Sequence, residues 1–177
     1  MGINGDLPEG LYHPSFEKDA CGIGFVANLK GKKSHEIIKD ALVMLENMEH
    51  RGGCGCEKNT GDGAGILIQI PHLFYKEEAR KLNIDLPELG NYGTGLTFFP
   101  KNEIHKSACR EILYNVAKEL NLTILGWRKL SVDNSLVGPI ALSGEPDIEQ
   151  IFIISNYHLE DADALERKLF VFRNYVA

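Results

Sequence analysis

The sequence predicts a layered domain that mixes helices and strands, of the α/β or α+β class. Two observations carry that expectation. Apolar residues switch along the chain between a spacing near two and a spacing near 3.6, so strands and helices follow one another in turn. The chain has 177 residues, 44% of them hydrophobic and 25% charged, which is enough apolar material for one domain with a hydrophobic core. No repeat, low-complexity tract or linker divides it.

Residues 1–20 form no element of their own, because Gly2, Gly5, Pro8, Gly10 and Pro14 punctuate them too heavily. The first strand is expected at Cys21-Gly22-Ile23-Gly24-Phe25-Val26-Ala27, where Ile23 and Phe25 alternate with glycines. Gly22 and Gly24 leave the backbone beside Cys21 open to close approach by a ligand or another segment. Lys30-Gly31-Lys32-Lys33 reads as a turn. Ser34 then precedes a helix whose apolar stripe is Ile37, Ile38, Ala41, Leu42, Leu45 and Met48. His50-Arg51-Gly52-Gly53 ends it, with glycine available for the left-handed cap. A glycine-rich loop follows, through Gly63.

Ala64-Gly65-Ile66-Leu67-Ile68-Gln69-Ile70 is a nearly continuous apolar run, the pattern of a strand buried on both faces. Pro71 suits the first turn of a helix reaching Leu82. Gly93 to Phe99 is the next strand, closed by Pro100. The longest helical pattern runs from Glu103 to Leu120, capped by Asn102, with Ile104, Ala108, Ile112, Leu113, Val116, Ala117 and Leu120 as its stripe. Short strands are expected at Thr123–Trp127 and Ile151–Ser155, joined by a connection containing Pro139, Gly144 and Pro146. A last helix covers Leu159–Val176.

A net charge of -6 argues against nucleic acid or an anionic membrane as a bulk partner. No apolar run is long enough to span a bilayer, and residues 1–20 lack the basic-then-apolar pattern of a secretory signal. A cytoplasmic location and free thiols are therefore expected for Cys21, Cys54, Cys56 and Cys109. Cys54-Gly55-Cys56 spaces two thiols by one residue without a second pair to complete a zinc set, so two thiols in a glycine-rich loop is the favoured reading. Asn59-Thr60-Gly61-Asp62-Gly63 lacks the spacing and closing glutamate of a calcium loop.

By pattern alone, Cys21 reads as a small buried hydrophobe at a strand end, and Arg51 as a cation favoured at a helix C-terminus. A protein of structural cysteines, a non-catalytic interaction module, is one function class consistent with that. The motifs point to another. Tyr12-His13-Pro14, Asp19-Ala20-Cys21-Gly22-Ile23-Gly24-Phe25, Leu45-Glu46-Asn47-Met48-Glu49-His50-Arg51-Gly52 and Asn59-Thr60-Gly61-Asp62-Gly63-Ala64-Gly65 follow in order. Leu125-Gly126-Trp127-Arg128 and Val132-Asp133-Asn134-Ser135 extend the match along essentially the whole chain. Together they resemble the start of the glutamate synthase large-subunit family, a class II glutamine amidotransferase domain of the N-terminal-nucleophile hydrolase type.

The resemblance implies an α+β fold, a four-layer αββα sandwich that is incomplete at the C-terminus here. It implies residues 1–20 as a propeptide-like leader and residues 21–177 as the N-terminal part of the amidotransferase domain. Cys21 becomes the catalytic nucleophile, and Arg51 with Gly52 a substrate-binding or site-shaping pair beside it. L-glutamine would be the substrate, with ammonia passing to 2-oxoglutarate in glutamate biosynthesis. FMN and an iron–sulfur cluster are implied for the complete enzyme, with no cofactor site in this chain. The implied partners are the remaining domains of the large subunit and a small electron-transfer subunit, with nicotinamide or ferredoxin as the electron donor.

The chemistry is consistent with one residue serving twice. An unperturbed thiol has a pKa near ~8.5, so little thiolate exists at neutral pH without help. Cleavage of the Ala20–Cys21 bond would give Cys21 an α-amine of pKa about 7.7–8.0, able to take the thiol proton and later return it to the departing ammonia. The family's Asn-Gly oxyanion pair has no counterpart in a matching setting, since Asn4-Gly5 lies in the leader. Loss of one oxyanion donor typically slows such reactions ~10²–10³-fold, so the chain alone is expected to be inactive. Strands lacking their partners are further expected to make it associate.

Overall fold

A computed structural model describes residues 22–48, 57, 59–61, 63–157 and 162–176. They divide into two compact units, Met1–Ile68 and Gln69–Ala177. The sequence carries no linker signal at that division, which falls inside the apolar run Ile66–Ile70.

Among the described residues of the first unit the one helix is α1, His35–Asn47, as the stripe predicts. Ile37, Ile38, Ala41, Leu45 and Met48 are half-buried, and no residue of α1 is fully buried. Ser34 precedes it in extended backbone but makes no side-chain cap. The expected strands at 21–27 and 64–70 are not strands among the described residues. Ile23, Phe25 and Leu67 are 94%, 90% and 101% exposed. An apolar run becomes a strand only when a neighbouring strand takes its backbone hydrogen bonds, and neither run has such a neighbour among the described residues. Alternation in the sequence reports a wish to be buried, and pairing is a separate condition.

The second unit is built on a three-stranded antiparallel sheet in the order β1-β3-β2, where β1 is Gly93–Phe99, β2 is Leu122–Lys129 and β3 is Asp147–Ser155. Helix α2 (His72–Lys81) precedes the sheet, α3 (Glu103–Glu119) joins β1 to β2, and α4 (Pro139–Ser143) and α5 (Ala162–Val176) flank β3. The central strand β3 is buried from Glu149 through Ile153. Its alternation splits the core in two. Ile151 and Ile153 face α3 and α5, packing with Phe99, Leu113, Ala117, Leu122, Leu165 and Phe172. Phe152 faces the other way, onto Ala79, Leu86 and Tyr92, with the Tyr75 ring edge-on at 5.7 Å.

Three details depart from expectation. Strand β3 starts four residues earlier than its apolar run, because the polar Asp147, Glu149 and Gln150 find partners on the sheet. The short helix α4 lies inside the predicted connection, opened by Pro139. On α3 the buried face is turned. Lys106, Leu113 and Ala117 are inside, while Ile104 and Ile112 are 78% and 54% exposed. Its cap is as expected, Asn102 Oδ1 accepting from the backbone N–H groups of Ile104 and His105 at 3.0 and 3.1 Å.

Candidate active site

The three residues nominated by the motifs, Cys21, Arg51 and Gly52, lie outside the described residues, as do Cys54 and Cys56. The segments that run into them are described. Gly22–Ala27 follows Cys21 directly, and α1 with its C-cap residue Met48 leads toward Arg51. These two segments meet at Gly24, where an added Cβ would overlap the Met44 thioether of α1. The absence of a side chain at Gly24 is what lets the backbone lie against the helix, the close approach that the glycine spacing predicts. Within the glycine loop, Thr60 Oγ1 donates to Glu57 Oε2 at 2.9 Å and the Thr60 N–H to the Glu57 carbonyl at 3.2 Å, forming a local turn.

The second unit contains a buried ionic cluster that motif reading did not single out. Lys106 of α3 places its ammonium 2.7 Å from Asp147 and 2.8 Å from Glu149. Arg110, one turn on, pairs with the second oxygen of Glu149 and lies over the Phe99 and Trp127 rings at 5.7 and 5.4 Å. Burial alone would raise the Glu149 carboxyl, but the hydrogen bonds from Lys106 and Arg110 carry it below the ordinary carboxylate range. The Lys106 ammonium is held above its usual value by its hydrogen bonds to Asp147 and then Glu149. Lys106 and Arg110 at i and i+4 on the face that continues to Leu113 and Ala117 are the sequence signal for this cluster. It fixes α3 to β3.

On the opposite face, Arg128 Nε donates to Glu78 at 3.0 Å and Nη1 to Gln150 Oε1 at 3.3 Å, while Gln150 Nε2 donates to Thr94 Oγ1 at 3.0 Å. His72 Nδ1 lies 3.1 Å from the Tyr92 hydroxyl, and its Nε2 is 3.6 Å from Glu88, which Lys76 also engages at 2.7 Å. Burial pushes the Tyr92 phenol up, so it stays protonated and can donate. A shallow depression lined by Lys76, Arg80, Asn83, Ile84, Asp85 and Leu86 contains none of the motif residues. Cys109 is a free thiol packed against the α3–α5 core.

Helices layered on an antiparallel sheet, with glycine-spaced motifs ahead of it, define a mixed α+β domain. The chain belongs to the class II glutamine amidotransferases, whose family model matches residues 21–177. It is 42% identical over 165 residues to the glutamate synthase [NADPH] large chain of Bacillus subtilis, covering 93% of this chain and 11% of that protein. It is 45% identical over 164 residues to the glutamate synthase [NADH] of Saccharomyces cerevisiae, covering 90% and 8%. Ferredoxin-dependent glutamate synthase 2 of Synechocystis is 36% identical over 160 residues, covering 90% and 10%. The chain thus spans about a tenth of the length of these relatives. Among the described residues, no helix is long and apolar enough to cross a membrane.

Proposed function

We propose that this chain is the nucleophile-bearing part of the glutaminase domain of a glutamate synthase, with Cys21 as the nucleophile. The observation that carries the proposal is where the family match begins, at residue 21, on the cysteine itself. Residues 1–20 are then a leader whose removal frees the Cys21 α-amine. That amine takes the thiol proton, and the thiolate adds to the γ-carboxamide carbon of L-glutamine. The tetrahedral adduct collapses to a thioester as the amine returns the proton to the leaving nitrogen, releasing ammonia. Water then cleaves the thioester, giving glutamate and the free thiol. Arg51 and Gly52 shape the site beside the cysteine.

In the longer protein the ammonia reacts with 2-oxoglutarate at a separate site in the cytoplasm, served by a small electron-transfer subunit. FMN and an iron–sulfur cluster would supply the redox chemistry there. Among the described residues, no group of three or more His, Cys, Asp or Glu side chains could hold a metal ion, and the thiol of Cys109 packs against the core. The proposal includes the four-layer αββα sandwich of the family, supported by the family match over residues 21–177.

The test is a split between two activities in the full-length enzyme. Cys21→Ala and Cys21→Ser should abolish glutamate formation from glutamine and spare formation from free ammonia. Intact mass should show residues 1–20 removed from the wild type. Equal loss of both activities in a folded variant, or a leader that persists in an active enzyme, would contradict the proposal.

A further inference from the structure

Two glycines in the segment between Cys21 and α1 serve different ends. At the turn, Asn28 Oδ1 accepts from the backbone N–H groups of Lys30 and Lys32 at 2.9 and 3.3 Å. The Gly31 N–H donates to the Asn28 carbonyl at 2.9 Å, and Gly31 has a φ of +66°, which glycine adopts without strain. From His35 to Met44 the helix rises ~13.5 Å, and extended chain from Gly24 to Asn28 reaches about as far. Gly24 thus comes level with Met44, which is half-buried on α1, whereas Leu42 of the predicted stripe is 44% exposed. The backbone of Gly24 lies outside the left-handed region, so its conformation suits any residue. What Gly24 supplies is room. An added Cβ would lie 2.9 Å from Met44 Cε and closer still to its Sδ, where ordinary contact starts at 3.4 Å.

We propose that Gly24, seated on the Met44 thioether, is a positioning residue for the Cys21 thiol. This rests on Cys21 being the nucleophile, as in the proposed function. Cys21 is three residues before Gly24, a reach of at most ~11 Å, so the seat at Gly24 limits where the cysteine can go. A side chain at position 24 would displace the segment or the thioether by on the order of 1 Å, and a displacement of that size can slow a reaction ~10²-fold. The thioether is flexible and can absorb part of a methyl group, so valine should cost more than alanine.

The test uses the longer protein that the proposed function implies, beginning at Cys21 as confirmed by intact mass. Gly24→Val should lower the glutamine-dependent kcat about 10²-fold, and Gly24→Ala should lower it less. Values of kcat and kcat/KM should fall together, leaving KM for glutamine and the rate with free ammonia near those of the wild type. Labelling of Cys21 by a glutamine-like diazo-ketone should slow in the same proportion as kcat. Adding Met44→Ala to Gly24→Val should recover most of the loss, because it vacates the space that the valine then fills. A merely structural role would raise KM or give no recovery with Met44→Ala, and either result overturns the inference. So does an unchanged kcat in both Gly24 variants while the wild-type label sits on Cys21, an outcome that leaves the nucleophile in place. A wild-type label on another cysteine overturns the nucleophile assignment and this inference with it. Should Gly24→Val fail to fold, Gly24→Ala with and without Met44→Ala gives the same decision.

Discussion

At Glu149 two cations converge on one buried carboxylate, with Lys106 on one oxygen and Arg110 on the other. Removing one partner of a buried pair leaves the other charge desolvated and costs roughly 3–5 kcal/mol. Glu149→Ala should therefore destabilise the chain by about 3 kcal/mol, read as a lower urea midpoint with an unchanged slope. Glu149→Gln, which keeps an acceptor, should lose less. The pH dependence follows from the depressed Glu149 carboxyl. A group whose folded pKa is lowered contributes stability that is present above the unfolded value, ~4.3 for glutamate, and lost as pH falls through the folded value. Acid unfolding monitored by circular dichroism should thus be shallower in Glu149→Gln than in the wild type. Equal acid sensitivity would mean that other carboxylates, Asp147 first among them, dominate the transition.

Among the elements, α3 and β1 are the most legible in the sequence. Helix α3 has a side-chain cap at Asn102 and strand β1 is bounded by Pro100, so local chemistry sets their ends. Asn102→Ala should remove two hydrogen bonds to Ile104 and His105 and lower stability by about 1 kcal/mol, whereas Asn102→Ser should restore most of it. Recovery as poor with serine as with alanine would show that the cap is not the stabilising feature. Strand β3 was legible only in its apolar half. Asp147 to Gln150 look like loop residues until Lys106, Arg110, Thr94 and Arg128 arrive from elements up to 56 positions away to satisfy them. The turned face of α3 has the same origin, because Lys106 is hidden by a partner that no helical period reveals. The runs at 22–27 and 64–70 show the converse, apolar residues in strand order that no neighbour pairs. Cys21, Arg51 and Gly52 were nominated from runs of fixed order in the sequence, and they lie outside the described residues.

Among the described residues, burial is concentrated in the second unit. Five consecutive residues of β3 are buried, whereas α1 has none. Local opening follows burial, so amide hydrogen exchange should find Ile151–Ile153 among the slowest sites and α1 among the fast ones. Protection in α1 equal to that in β3 would show that the two units open as one. The chemistry proposed for Cys21 is best tested in the longer protein that the proposal implies, after loss of residues 1–20. Cys21 with its freed α-amine should be the activated thiol, whereas Cys54, Cys56 and Cys109, inside the chain, have no α-amine of their own to free. The direct measurement is peptide mapping after treatment with a glutamine-like diazo-ketone. A single adduct on Cys21, appearing as glutamine-dependent activity disappears, is the predicted result; an adduct on Cys54 or Cys56 with Cys21 untouched would contradict it.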